Sequence, residues 1–168
     1  MGPLAFQTAT AFAPSGGLAA ADARCATEAA MAGLPPSTYR AFLATDGASP
    51  ASRFDLSKPG GWVRRDGVRV LADRMDLLLP FEFALAATNV SADDHYLDDR
   101  LVWVGAGWTG NVYDAGTAAS TCDGWTTSAA SVSGGAFESS ATALSVNYTY
   151  QETCNQGNTA TRLLCLED

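Results

Sequence analysis

The clearest pattern of apolar and polar positions along the chain is a helical one between residues 18 and 32. Small or apolar residues recur there every three or four positions, which places them on one face of a helix: Leu18, Ala21, Cys25, Ala29 and Ala32. Charged residues fall on the other side, and Gly33 followed by Pro35 prevents the helix from continuing. The pattern therefore predicts one well-defined helix near the start of the chain.

The remaining apolar runs are short and separated by turn residues, which is typical of strands. Strands are predicted over Leu4–Ala13, Tyr39–Leu43, Leu101–Val104, Asn147–Gln151 and Arg162–Leu166, with a hairpin joining Trp62–Val63 to Val68–Leu71. Pro80 excludes one long helix in the apolar segment 73–83. Residues 89–100 are expected to form an acidic loop. The glycine-rich segment 105–116 and the polar segment 117–145 are expected to be irregular.

Length and composition describe one ordered domain over residues 1–168, because no repeat or linker interrupts the chain. Hydrophobic residues make up 47% and charged residues 17% of the sequence. The net charge of −8 argues against nucleic acid and anionic membranes as partners. No apolar run approaches the roughly 20 residues of a membrane span, so no transmembrane segment is expected. No signal peptide is recognisable at the start of the chain, and any export signal is expected to have been removed.

The four cysteines are scattered along the chain, at Cys25, Cys122, Cys154 and Cys165. They contain no C-x-x-C pair, and the one histidine lies far from them, so the spacing does not fit a zinc site. An even number of scattered cysteines favours two disulfides and an oxidising compartment. Three pairings are open at this point, and four reduced core cysteines are the alternative.

Groups suited to catalysis or cation binding are few. His95 is the only histidine, so a nucleophile–histidine arrangement would have to use it, and a solvated loop histidine is the favoured interpretation. Four aspartates around it offer oxygen ligands of the type that calcium prefers: Asp93, Asp94, Asp98 and Asp99. Their spacing matches no EF-hand loop. We therefore expect no cofactor and no catalytic residue, with calcium in this loop as the weaker alternative.

Two further clusters have the composition of a binding surface. Arg64, Arg65, Arg69 and Arg74 form a basic cluster, for which ion pairing with nearby acidic residues is the favoured interpretation. Trp108 lies among small residues in a glycine-rich loop, close to Asn111, Tyr113 and Asp114. An aromatic residue in such a loop is typical of a protein or sugar site, so these four residues are the candidate ligand-binding group. Trp103 lies in a predicted buried strand and is expected to be a core residue.

Several segments, taken in order, resemble the endostatin domains of collagens and the bacterial endostatin-like outer-surface proteins. The matching segments run from about residue 5 to the end of the chain: Gly16-Gly17-Leu18 to Arg24-Cys25, Tyr39-Arg40-Ala41-Phe42-Leu43, Val63-Arg64-Arg65, Leu77-Leu78-Leu79-Pro80, Val102-Trp103-Val104-Gly105, Cys122-Asp123-Gly124-Trp125 and Leu164-Cys165-Leu166-Glu167. All four cysteines are in register with them. Trp125 matches a family position next to Cys122, which implies that its ring packs on a disulfide.

The resemblance implies an α+β, C-type-lectin-like single domain with two nested disulfides, Cys25 to Cys165 and Cys122 to Cys154. It also implies a long loop region over residues 105–145. The zinc site of vertebrate endostatin uses histidines near its N-terminus, and this sequence has none before His95. That site is therefore not carried over.

The resulting functional expectation is a non-enzymatic binding or adhesion module of a bacterial surface or secreted protein. Its partner would be an extracellular protein or a glycan. A structural subunit of a surface appendage or layer, which would self-assemble, is the alternative. An enzyme that works through His95 or a metal in the acidic loop is the third hypothesis.

Overall fold

A computed structural model describes residues 2–35, 38–78, 84–98, 101–106, 108–109, 112–129, 133–138, 150–155 and 161–168. Its described part is a mixed α+β fold. The helices are α1 (Gly17–Met31) and the single turn α2 (Cys122–Trp125), and two 3₁₀ turns cover Pro50–Arg53 and Arg74–Leu78. The strands are β1 (Leu4–Gln7), β2 (Tyr39–Ala41), β3 (Val63–Arg64), β4 (Leu101–Trp103), β5 (Trp108–Thr109), β6 (Val112–Tyr113), β7 (Ser133–Glu138), β8 (Tyr150–Thr153) and β9 (Leu164–Glu167). No helix in this part of the chain has the length and apolar character needed to cross a bilayer.

The main sheet brings the two ends of the chain together. Its strand order is β2-β9-β1-β3, with β9 antiparallel to both of its neighbours and β1 parallel to β3. Phe6 in β1 is the register partner of Cys165 in β9, and Ala41 in β2 pairs with the same cysteine. A second sheet has the order β4-β7-β8, and β5 and β6 form a separate hairpin.

The main sheet divides the apolar core into two clusters, because successive residues of a strand point to opposite faces. On one face, Ala5 and Leu166 pack with Trp62 and the 3₁₀ residue Leu77. On the other face, Phe6, Leu163 and Cys165 pack with the buried side of α1 and with two fully buried tryptophans, Trp103 and Trp125. Of the five residues on the predicted apolar face of the helix, Ala21, Cys25 and Ala29 are buried here, and Leu18 and Ala32 are half-buried.

The disulfides join Cys25 to Cys165 and Cys122 to Cys154, which is the pairing that the resemblance implies. The first links α1 to β9 across 140 positions of sequence, and the second links α2 to the residue after β8 across 32 positions. The Cα–Cα distances are 5.6 and 5.8 Å, within the ordinary range for a disulfide.

The first strand is shorter than predicted, because side chains redirect the backbone after Gln7. The hydroxyl of Thr8 accepts a hydrogen bond from the N–H of Leu163, and the N–H of Ala9 donates to the carboxylate of Glu28 on α1. Residues 9–15 therefore leave the sheet and follow the helix instead. The hydrophobic alternation over Leu4–Ala13 could not show this change of direction.

The prediction that residues 117–145 are irregular is wrong in two places. The turn α2 is left-handed, since Cys122, Asp123 and Trp125 have φ values of 51°, 54° and 67°. Strand β7 is rich in serine and glycine, which have low strand propensity, but it is paired on both sides, with β4 and β8. The hairpin β5–β6 likewise lies inside the segment expected to be irregular. Strand β8 ends two residues later than the predicted strand Asn147–Gln151, of which residues 147–149 lie outside the described residues.

The long-range disulfide should contribute more to stability than the short one, because it closes a longer loop of the unfolded chain. In the chain-entropy treatment, Cys25→Ala/Cys165→Ala should cost about 5 kcal/mol and Cys122→Ala/Cys154→Ala about 4 kcal/mol. Urea denaturation of the two double variants measures both values. Non-reducing peptide mapping checks the pairing, and a peptide containing Cys25 linked to Cys122 would contradict it.

Candidate functional site

The segment that carries the candidate ligand-binding residues begins at a glycine in close contact with a buried tryptophan. Gly105 has φ +70°, and a Cβ built on it would lie 2.4 Å from Cζ2 of Trp125. The hydroxyl of Ser120 donates a hydrogen bond of 2.6 Å to the carbonyl of Gly105. Only glycine fits this position, because both the backbone conformation and the available space exclude a larger side chain.

The same segment ends at a second closely packed glycine. A Cβ on Gly116 would lie 2.6 Å from the carbonyl oxygen of Thr45. Its N–H donates to Ala48, and its carbonyl accepts from the N–H of Gly47. Gly105 and Gly116 also approach the same methyl group, Cγ2 of Thr121. Both ends of the segment 105–116 are therefore held at one point on the core.

Trp125 is the side chain against which Gly105 packs. It is fully buried, and its indole N–H donates a hydrogen bond of 2.8 Å to the carbonyl of Ala44. Its ring meets that of Trp103 edge-on, with centroids 5.9 Å apart. The left-handed turn places Trp125 three residues from the disulfide-bonded Cys122, in the same buried cluster. Trp103 is thus a core residue, as predicted, and Trp125 is buried beside it.

Between Gly105 and Gly116, strands β5 and β6 pair antiparallel as the hairpin β5–β6. Trp108 is the register partner of Tyr113, and Thr109 is the partner of Val112. The structure therefore brings two of the four predicted ligand-binding residues directly opposite each other. Asp114 follows the hairpin, is partly buried and has an interaction partner. Asn111 lies outside the described residues.

The acidic loop is organised by the hydroxyl of a serine. The hydroxyl of Ser91 donates to Asp93 and accepts from the N–H of His95, which closes a turn in which Asp94 has φ 69°. The Ser91 hydroxyl lowers the pKa of the Asp93 carboxyl, and His95, whose Nδ1 lies 3.1 Å from that carboxyl, acts in the same direction. Asp94 and Asp98 are exposed.

Neither catalysis through His95 nor cation binding by the aspartates is supported by the arrangement of the described residues of this loop. Among the described residues, no three histidine, cysteine or acidic side chains are grouped in a way that could hold a metal ion. Asp99 lies outside the described residues. The side chain of His95 is 76% exposed. All four cysteines are in disulfides, so none is available as a thiolate nucleophile.

Half of the arginine cluster has a structural role. Arg64 is buried, and its guanidinium holds the carboxylate of Asp66 at 2.6 and 3.1 Å while lying 5.4 Å from the ring centre of Tyr96. This contact with Arg64 lowers the pKa of the Asp66 carboxyl. Arg74 is also buried; it pairs with Asp168 at 3.2 Å and lies over the ring of Trp62.

Arg65 and Arg69 are the two exposed members of the cluster. The ion pairing of Arg64 is as expected. Sequence reasoning did not find the roles of Tyr96 and Asp168, because Tyr96 is 30 positions from Asp66 and Asp168 is 94 positions from Arg74.

Sequence reasoning also missed a groove along the exposed side of α1. Two cavities of about 240 and 640 Å³ lie there, and Arg24 and Thr27 line both. The signal in the sequence was weak, since the small residues that leave this space open are alanines that fit any helix surface.

Comparisons with known proteins do not identify the chain. No protein-family model matches it, and no curated protein sequence matches it significantly.

The glycine at the start of the hairpin segment should be far more sensitive to substitution than other glycines with positive φ. Gly105→Ala should destabilise the protein by about 3 kcal/mol or more, because the methyl group meets Trp125 in addition to the conformational cost. Gly67→Ala is the matched control: φ is +84° with nothing within 4 Å, so only about 1 kcal/mol is expected. Thermal or urea denaturation measures both, and equal losses would contradict the packing argument.

The Arg64–Asp66 pair should stabilise the fold at neutral pH and lose that effect in acid. The pKa of Asp66 is lower in the folded state than the value of about 3.9 in an unfolded chain, so its contribution is complete above that value. It disappears as the pH falls through the lower, folded-state pKa. Asp66→Asn should cost about 2–4 kcal/mol at pH 7, because it leaves Arg64 buried without a counter-charge.

The measurement is urea denaturation of the wild type and of Asp66→Asn from pH 7 to pH 2. The difference between them should shrink at the acid end. Asp98→Asn, an exposed position, makes the same charge change and should have little effect at any pH. A difference that is constant across the pH range would show that the pair does not act through ionisation.

Proposed function

We propose that the protein is a non-enzymatic, extracellular binding module whose ligand site is the hairpin β5–β6. The observation that carries the proposal is the pairing of Trp108 with Tyr113 between two glycines fixed to the core. Aromatic residues contribute much of the binding energy at recognition surfaces, and a binding loop loses less entropy when its base is already rigid. The segment 105–116 combines both features.

We further propose that the domain is of the endostatin or C-type-lectin-like kind. The features that support this assignment are the helix tied to the last strand by Cys25–Cys165 and the second disulfide nested within the first. A further supporting feature is that the second disulfide joins α2 to the residue after β8, across the segment that contains β7. Many unrelated binding activities occur on one fold, so the ligand has to be found from the site and not from the fold.

The proposed ligand is an extracellular protein or a glycan. The domain itself is proposed to belong to a surface protein or a secreted protein of a bacterium. Two disulfides are compatible with an oxidising compartment outside the cytoplasm. The pair of Trp108 and Tyr113 suits either class of ligand, because aromatic residues bind the apolar faces of sugars as well as protein side chains.

The binding proposal is tested on a glycan array and a panel of extracellular-matrix proteins, with and without calcium. Trp108→Ala and Tyr113→Ala should each weaken the strongest wild-type interaction by about thirtyfold, as expected for a binding hot spot. Their melting temperatures should stay close to that of the wild type. Calcium should make no difference if the acidic loop is not part of the site.

Two controls make the result specific. Tyr96→Ala removes an exposed aromatic residue that contacts Arg64 and Asp66 and is not part of the segment 105–116, so it should retain binding. Trp103→Ala removes a core residue and should lower stability and binding together. Retained binding in both hairpin variants would refute this site. A wild-type domain that binds no probe but self-associates in sedimentation would favour the structural-subunit hypothesis instead.

A further inference from the structure

A groove along α1 lies outside the proposed hairpin site. It runs between the helix and residues 9–15, where the chain has left the main sheet. The cavity of about 240 Å³ includes Met31 and Ala92 in its lining, and the cavity of about 640 Å³ includes Ala20 and Ala23. Because both cavities share Arg24 and Thr27, they are adjacent parts of one groove. Seven of its fifteen described lining residues are alanine, so another backbone can approach closely at those positions.

One wall of the groove contains backbone groups that have no hydrogen-bond partner among the described residues. The N–H of Phe12 donates to the carbonyl of Thr161, and the carbonyl of Phe12 accepts from the indole of Trp103, so this residue bonds to the core. Its neighbours Ala11 and Ala13 line the larger cavity. Their N–H groups and the carbonyl of Ala11 form no hydrogen bond with any described residue. An added peptide strand bonds to alternate residues of an edge, and Ala11 and Ala13 have that spacing.

The larger cavity favours an anionic occupant, because Arg24 is the one charged residue among the described residues of its lining. Glu28 and Asp93 line the smaller cavity. Both carboxylate oxygens of Glu28 are engaged, one by the N–H of Ala9 and one by the hydroxyl of Thr10. Asp93, at the far end, is held by Ser91 and His95. Arg24 donates one hydrogen bond, of 3.0 Å, to the hydroxyl of Thr10 and pairs with no carboxylate among the described residues. Most of its five N–H donors are therefore open to a ligand.

We propose that this groove binds an extended peptide that carries a carboxylate side chain. The peptide backbone bonds to Ala11 and Ala13, and its carboxylate pairs with Arg24. The residues on either side of that carboxylate fit into the two cavities. A strand addition of this kind gains affinity from backbone bonds and selectivity from the side-chain pockets and the single cation.

The test uses the full chain, labelled with ¹⁵N, and a blocked peptide of sequence Ser-Val-Glu-Val-Ser. Matched peptides carry Gln or Lys in place of the Glu. In an NMR titration, the glutamate peptide should shift the amide signals of Ala11 and Ala13 and bind about tenfold more tightly than the glutamine peptide. Arg24→Gln should abolish that preference. Arg65→Gln, which makes the same charge change at another exposed site, should retain it.

A second pair of variants tests the place of binding independently of charge. Ala23→Phe fills the larger cavity and should prevent binding of the glutamate peptide, whereas Ala26→Phe, exposed on α1 outside both cavities, should leave it unchanged.

The proposal is overturned if the wild type binds the three peptides equally or binds none of them. It is also overturned if Arg24→Gln keeps the preference for glutamate or if Ala23→Phe binds normally. Free acetate that produces the same shifts with the same affinity as the glutamate peptide would identify a small-carboxylate site and refute the peptide. None of these results depends on Trp108, so the hairpin proposal stands or falls separately.

Discussion

The whole fold depends on the pairing of the last strand with the first. Strand β9 occupies an interior position of the main sheet, bonded to β2 on one side and β1 on the other. Its residues alternate between the two apolar clusters, so neither cluster is complete without it. Sheet pairing between the two ends of a chain has a large loop-closure cost. The disulfide from α1 to Cys165 reduces that cost by holding the helix and the strand together in every state of the oxidised chain.

The candidate hairpin site depends on a second, local constraint. Three non-glycine residues of α2 have left-handed backbone conformations, each of which costs about 1–2 kcal/mol. Such a conformation persists only when the surroundings determine it more strongly than it costs. Here the Cys122–Cys154 disulfide, the hydrogen bond from Trp125 to Ala44 and the burial of that indole supply the compensation. In return, the turn places Trp125 where Gly105 can pack against it.

The parts of this structure that were predictable are those that local sequence determines. Helix α1 follows from the spacing of Ala21, Cys25 and Ala29, because a helix face is a property of neighbouring residues. Strand β7 was not predictable, since its serine and glycine residues form a strand only because partners lie on both sides. The left-handed turn could not be predicted from the sequence either, because residues such as Cys122 and Trp125 ordinarily avoid positive φ. At the candidate site, composition indicated Trp108 and Tyr113, but their pairing depends on the hairpin register.

The groove and the hairpin both contact the tryptophan pair Trp103 and Trp125. This shared contact affects how a loss of binding has to be interpreted. On the groove side, the carbonyl of Phe12 accepts a hydrogen bond from the indole of Trp103. Trp103 packs edge-on against Trp125, and Trp125 fills the space that Gly105 leaves open. A substitution within this tryptophan pair would therefore disturb the groove and the hairpin together. Loss of one activity alone identifies a residue of that site, whereas loss of both identifies damage to the common core. These contacts give the two regions a common rigid core. Energetic coupling between the regions would require more: the tryptophan pair would need a second arrangement, and both ligands would have to shift the equilibrium between the two arrangements.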